Sequence, residues 1–176
     1  MPDPPNTKSN AVAAHLRDLL VAHLEEWLGD EALAAGDYYL GDGRFVKAAQ
    51  APCIYLDDQG SSVTGEGSAA GWDPDTQTTT PGFQVDRYRL DLQVFRKGLD
   101  SKDMRVELNE WRDSVAACLR KYWSFATYSG EIYLDSSDPA FEFTLKSATF
   151  WAAVVRIEAD ARSWQGSMYL MGDEPV

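Results

Sequence analysis

Cysteine and long apolar runs are scarce in this sequence, and each scarcity excludes a class of protein. Cys53 and Cys118 are the only cysteines, so a disulfide framework is excluded and we expect two buried free thiols in a reducing compartment. No segment approaches the ~20 apolar residues of a membrane-spanning helix. The first residues, Met1 to Pro5, lack the basic and apolar regions of a secretion signal. We therefore expect a soluble protein without membrane contact.

Basic residues are also few: 16 lysines and arginines stand against 28 acidic residues, which gives a net charge of −12. Residues 1–82 hold 4 basic and 13 acidic residues. Proteins that wrap nucleic acid need Lys and Arg to replace counterions, so this composition argues against specific DNA binding. It remains compatible with a surface past which DNA slides.

Catalytic and metal-binding motifs are missing. The sequence has no Gly-rich phosphate loop with a lysine, no G-x-S-x-G and no H-E-x-x-H. His15 and His23 are eight residues apart, whereas helical metal ligands prefer three or four. The carboxylates Glu107, Glu110 and Asp113 alternate with arginines on a polar helix face, which favours a solvated charge lattice over acid–base chemistry. We expect no enzyme, no cofactor and no metal site.

The segment from Val85 to Trp123 organises the rest of the chain. Residues 88 to 94 alternate apolar and polar side chains, as in a strand with one buried face. From Met104 the apolar residues recur every three or four positions, as in an amphipathic helix, and Ser101 can cap its first turn. Spanning Phe83 to Lys97, the strand would be on the order of 45 Å long, more than a domain with a radius of gyration of ~16 Å needs internally. Part of it should therefore project.

The remaining elements surround that strand and helix. We predict a first helix from Asn10 to Leu28, ended by Gly29, and five further strands: Phe45 to Ala49, Cys53 to Leu56, Glu131 to Leu134, Phe141 to Lys146 and Phe150 to Ala161. This order favours an α+β fold, an antiparallel or mixed β-sheet with two helices packed on one face plus a long projecting strand or loop arm. One domain would span residues 9–165, between a flexible N-terminal arm (1–8) and a C-terminal tail (166–176).

Residues 57–82 differ in composition, because glycine, serine and threonine dominate. A long connection of this kind is either a solvent-exposed loop or a binding loop that orders against a partner. As a binding arm it would use Val63, Trp72 and Asp73. Its acidic pairs fit no EF-hand spacing.

Aromatic residues are numerous: six Trp, eight Tyr and seven Phe. Such residues are enriched at protein interfaces. Phe95 and Trp151 are assigned to the polar phase of their strands, and Trp164 is hard to bury by pattern. These three are the candidates for a subunit interface.

One family shares this order of elements. The helix Asn10 to Leu28, the strand Cys53-Ile54-Tyr55-Leu56, the strand Tyr88 to Phe95, the helix Lys102 to Tyr122 and the closing strands to Ala161 resemble the tail terminator proteins of long-tailed bacteriophages. The resemblance covers residues 9–165 through element order and includes no diagnostic motif. The Asp57 to Gly82 segment departs from the family plan.

The resemblance implies a hexameric ring seated on the head-proximal end of the tail tube. Such a ring stops tube polymerisation and offers a surface for the head completion proteins, while DNA passes through its channel without specific binding. The location would be the virion tail or neck, after assembly in the host cytoplasm. Two alternatives remain open: a head–tail connector or tail tube protein, and a monomeric protein-binding adaptor.

Overall fold

The computed structural model describes residues 7–29, 33–43, 46–47, 50–67, 71–97, 101–122, 132–145 and 148–172. Most of the predicted N-terminal arm, residues 1–6, lies outside this part. So do Phe45, Ala48 and Ala49 of the predicted strand Phe45 to Ala49. The intervening Val46 and Lys47 are not in a strand.

The described elements are, in chain order, α1 (Lys8–His23), α2 (Glu25–Leu28), a short 3₁₀ turn (Ala35–Asp37), β1 (Tyr38–Leu40), β2 (Cys53–Glu66), β3 (Gly71–Asp73), β4 (Thr78–Thr80), β5 (Phe83–Lys97), α3 (Ser101–Tyr122), β6 (Ile132–Leu145) and β7 (Ala148–Trp164). The predicted first helix thus bends at Leu24 into α1 and α2. The predicted long strand and second helix are both present.

The main sheet has five strands in the order β1-β2-β5-β7-β6. β2, β5, β7 and β6 pair antiparallel in turn, and the short β1 runs parallel to β2. β3 and β4 form a separate two-stranded hairpin. The predicted α+β class with a mixed sheet is therefore confirmed.

Both helices cover the same face of the sheet, which we call the helix face. Its core combines the apolar stripes of α1 and α3 with alternate residues of the central strands, including Leu90 and Leu92 of β5 and Val155 and Ile157 of β7. These side chains are at most 2% exposed. Each fully buried side chain of this kind contributes about 1.5–3 kcal/mol of hydrophobic free energy.

A smaller core lies on the opposite face, which we call the open face. Its members come from the segment before β2 and from β2, β5 and β7. They are Val46, Cys53, Tyr55, Phe95, Phe150 and Ala152. Gly43 lies close against the ring of Phe95. The connection between β1 and β2 thus covers one end of the open face and excludes water from it.

The Gly-rich segment, residues 57–82, begins as a strand and not as a loop. Residues 57–66 continue β2 and pair with β5 as far as Glu66 and Gln84, with two bulges. The prediction of a loop is wrong here, because backbone hydrogen bonds to β5 hold a strand whose small side chains carry no apolar alternation. β3, β4 and the turn between them follow, while residues 68–70 lie outside the described part.

Two further predictions are corrected near the end of the chain. The predicted turn at Ser136 to Pro139 is an irregular stretch within β6, whose pairing with β7 shifts register twice. The predicted C-terminal tail, as far as Gly172, packs on the domain. Leu170 is fully buried in the core, and the Met171 amide donates to the Arg162 carbonyl oxygen at 3.0 Å.

Candidate functional site

Exposed apolar and aromatic side chains gather where β5 begins and β7 ends, which we call the distal end of the sheet. Phe83 is the first residue of β5 and follows Pro81 and Gly82. It pairs directly with Trp164, the last residue of β7. Their side chains are 36% and 39% exposed on the open face. Directly paired strand residues have Cβ atoms about 4.5–5.5 Å apart, so the two aromatics form one surface.

Arg162 completes this surface, and we call Phe83, Arg162 and Trp164 the distal patch. The guanidinium carbon of Arg162 lies 5.2 Å from the centre of the Phe83 ring, a cation–π geometry. Its Nε atom is buried and has no hydrogen-bond partner among the described residues. The patch therefore combines two exposed aromatic rings with one guanidinium group.

Backbone contacts fix the geometry of the patch. The amide of Gly67 donates to the Phe83 carbonyl oxygen at 2.8 Å, and the amide of Gln165 donates to the Gly82 carbonyl oxygen at 2.8 Å. A Cβ atom at position 67 would lie 2.0 Å from the Phe83 ring. Glycine at position 67 is therefore needed for the end of β2 to close against this ring.

Charged pairs occupy the middle of the open face. Three acid–base pairs lie directly across β5 and β7, Arg87 with Asp160, Arg89 with Glu158 and Asp91 with Arg156, at 2.8, 3.2 and 3.7 Å. Each such pair stabilises the sheet by about 1 kcal/mol or less. Their charges cancel, so this zone presents no excess of cations to a phosphate backbone.

The three predicted interface residues have different positions. Phe95 is 4% exposed, covered by the β1–β2 connection, and Trp151 is 7% exposed in the helix-face core. The assignment of Trp151 to the polar phase is wrong, because it shares the odd-numbered series of Val155 and Ile157. Trp164 lies in the distal patch. The interface assignment stays a prediction, and a neighbouring subunit can reach Trp164 without opening either core.

The predicted arm residues lie apart from one another along the chain. Val63 is in the exposed half of β2, where it pairs with Asp86 and is 54% exposed. Trp72 and Asp73 belong to the β3–β4 hairpin, in which they pair with Thr79 and Thr78. Their contact with a tube or neck protein stays a prediction.

Phe83 was missed by the sequence interpretation, although a signal was present. Its position directly after Pro81-Gly82 marks the start of a strand, and its odd number places it in the polar series of Arg87 and Arg89. The pairing with Trp164 could not be predicted, because it depends on the register of two strands that are far apart in sequence.

A second polar cluster joins α2 to the end of α3. Lys121 Nζ lies 2.8 Å from a Glu26 carboxylate oxygen, and the Tyr122 hydroxyl donates to the same carboxylate. The His23 and Tyr122 rings stack with centroids 3.7 Å apart. The hydrogen bond from Lys121, followed by that from Tyr122, lowers the pKa of Glu26. This cluster clasps the bent helix to α3.

Both cysteines are buried free thiols, as predicted. Burial is the main cause that raises the pKa of each thiol to about 12. Such thiols are protonated at neutral pH, and buried cysteines of this kind are generally unreactive.

Over the described residues, no group of three or more His, Cys, Asp or Glu side chains could hold a metal ion. No helix in the described ranges is long and apolar enough to cross a membrane.

Comparison with known proteins gives no assignment. No protein-family model matches the chain, and no curated protein matches it.

Proposed function

We propose that this protein is a structural component of a bacteriophage virion: a ring-forming tail terminator that caps the head-proximal end of the tail tube. In this role it stops tube polymerisation and offers a surface for head–tail joining. The order of helices and strands that resembles this family is the starting point of the proposal. The distal patch is the observation that carries it.

Aromatic and arginine side chains dominate the binding energy of protein interfaces. Phe83 and Trp164 are large, exposed and held by paired backbone, so little conformational entropy is lost when they are covered. Within the described surface, no metal cluster offers a competing chemistry. A contact with another protein molecule therefore explains the patch better than a reaction does.

The charges of the open face support the same role. Arg87, Arg89 and Arg156 each face a carboxylate across the strands, so these three arginines do not form a row of unpaired cations for DNA. With a net charge of −12, the protein would let DNA pass without specific binding, as a tail channel requires.

Termination would follow from geometry. A head-to-tail ring uses unlike surfaces on each subunit and consumes them when it closes. Its two faces then differ, and one of them can continue the contacts of the tube while the other cannot. No cofactor is needed for this function, and the partners are other copies of the chain, the tail tube protein and the head completion proteins.

The mass of the purified protein in solution tests the proposal. Light scattering across a concentration series, with and without the tail tube protein of the same virus, should show a discrete ring, alone or on tube ends. A Trp164→Ser variant should lose the ring, while Leu40→Ser, which changes an equally exposed residue on β1, should keep it. Open-ended polymers would indicate a tube protein. A monomer that ignores tubes at every concentration would refute the proposal and favour the adaptor.

A further inference from the structure

The outward side of α3 carries an acidic stripe with one exposed apolar residue at its centre. Asp103, Val106, Glu110 and Asp113 follow one another at steps of three, four and three, so they lie along one line of the helix. The three carboxylate residues are exposed, and Val106 is 56% exposed. We call these four residues the α3 stripe.

Val106 is an exception on this helix. The apolar residues Leu108, Trp111 and Val115 of α3 are buried against the sheet, so the core does not require an apolar residue at position 106. An exposed valine flanked by carboxylates gives the stripe a mixed character, apolar in the centre and anionic around it.

The distal patch has the complementary composition. It presents the rings of Phe83 and Trp164 beside the guanidinium of Arg162. Copies with a net charge of −12 repel one another, so a stable contact between them needs local pairing of opposite charges. Arg162 supplies a cation for such a pair. The α3 stripe supplies the Glu110 carboxylate, since the Asp113 carboxylate is already paired with Arg112 at 2.9 Å.

The two surfaces cannot meet within one molecule. The distal patch lies on the open face of the sheet, whereas α3 packs on the helix face. The sheet separates them, and a contact between them therefore joins two copies. Because the surfaces are unlike, the contact is head-to-tail, and it forms a ring when the rotation between neighbouring copies closes.

We propose that the distal patch of one copy docks on the α3 stripe of a second copy. Phe83 and Trp164 pack against Val106, and the Arg162 guanidinium pairs with the Glu110 carboxylate. This inference rests on the proposed function, since it names the subunit contact of the ring.

Charge reversal on both surfaces tests the contact. Arg162→Glu or Glu110→Arg alone places like charges together and should raise the concentration for half-dissociation of the ring at least about tenfold. The double variant restores an opposite pair and should recover most of the assembly. Recovery cannot arise from repair of the fold, because the two positions lie on opposite sides of the sheet.

Two variants of exposed valines test the same contact independently of Arg162 and Glu110. Val106→Asp should abolish ring formation, whereas Val21→Asp, at the exposed valine of α1, should leave it intact. Glu25→Arg, at an exposed acidic residue of α2, is the control for Glu110→Arg. Circular dichroism checks that each variant is folded. If Arg162→Glu does not fold, the comparison of Val106→Asp with Val21→Asp decides whether the proposed contact exists.

The outcomes separate this inference from the proposed function. A wild-type chain that stays monomeric with and without tube protein refutes both. Wild-type rings that persist in Arg162→Glu, Glu110→Arg and Val106→Asp contradict only the docking of patch on stripe. Rings that the variants retain while tube binding is lost would assign the patch to the tube protein and also overturn the docking.

Discussion

Gly43 sits where a single added methyl group should loosen the cover of the smaller core. A Cβ atom there would lie 1.9 Å from the side-chain oxygen of Gln93, and 2.6 and 2.7 Å from two ring atoms of Phe95. The Gln93 amide can swing aside, since it ends a flexible side chain. The Phe95 ring cannot move as freely, because it packs edge-on against Tyr55 at a centroid distance of 5.7 Å.

Gly43→Ala should therefore destabilise the protein by overpacking, which costs about 1–3 kcal/mol at a well-packed site. For a domain of this size, that corresponds to a fall in melting temperature of roughly 2–4 °C per kcal/mol. Gly43 does not adopt a positive φ, so the cost is steric and comes from the contact with Phe95.

Gly36→Ala is the matched control, because a Cβ atom at position 36 meets nothing within 4 Å and the residue has no positive φ. It should leave stability unchanged, within about 0.5 kcal/mol, as surface substitutions usually do. Both variants can be compared by urea denaturation followed by tryptophan fluorescence. If Gly43→Ala proved as stable as Gly36→Ala, the β1–β2 connection would not be packed on Phe95 as described.

Three further predictions concern the core, the thiols and the helix clasp. Leu90→Ala, in the centre of β5, should lower the free energy of unfolding by about 2–5 kcal/mol in denaturant titrations, since it leaves a cavity under the helices. Cys53 and Cys118 should not react with a thiol reagent at pH ~8 in the native protein and should both react in denaturant, because burial raises their pKa to about 12; rapid native labelling would contradict that burial. Hydrogen bonding lowers the pKa of Glu26 in the folded state, so its contribution is present above its unfolded pKa of 4.5 and is lost as the pH falls through the lower folded value. Glu26→Gln should accordingly flatten the pH dependence of stability as the pH falls below 4.5, and an unchanged slope would contradict the clasp.

The parts of the fold that sequence reasoning predicted are those with long, regular periodicity. β5 begins at Phe83 and ends at Lys97 as expected, because alternation over many residues identifies both the strand and its buried side. The helix ending at Tyr122 was equally clear from its apolar stripe and its charged ends. These two elements hold most of the information about the fold class.

The predictions that failed concern segments held in place by interactions that side-chain patterns do not encode. Residues 57–66 form a strand through backbone pairing with β5, although their small side chains show no strand pattern. β1 has three residues between turn-forming glycines, too few to show a period. The irregular middle of β6, with Pro139, has the composition of a turn, yet pairing with β7 before and after it along the chain keeps the strand continuous. Each of these depends on a neighbour that the local sequence does not specify.

The candidate site was predicted in part. Trp164 was chosen because no pattern buried it, and it is exposed. Phe95 and Trp151 are both buried: the β1–β2 connection covers Phe95, whereas Trp151 belongs to the apolar series of its own strand and was given the wrong phase. Local sequence distinguishes a residue that the core does not require, but only the assembled sheet shows whether another segment covers it.

The order of the strands also determines when the molecule can fold. β5, at the centre of the sheet, pairs with β7 along its whole length, from Phe83 with Trp164 to Lys97 with Phe150. During synthesis β5 therefore has no partner on this side until β7 has left the ribosome. Until then its Leu90 and Leu92 lack part of their cover. Contacts between such distant residues slow folding, so the newly made chain passes through a period in which its central strand, β5, is exposed to other chains. Pairing of β5 with β7 ends that period, so the sheet can close only after residues 148–164 have been synthesised.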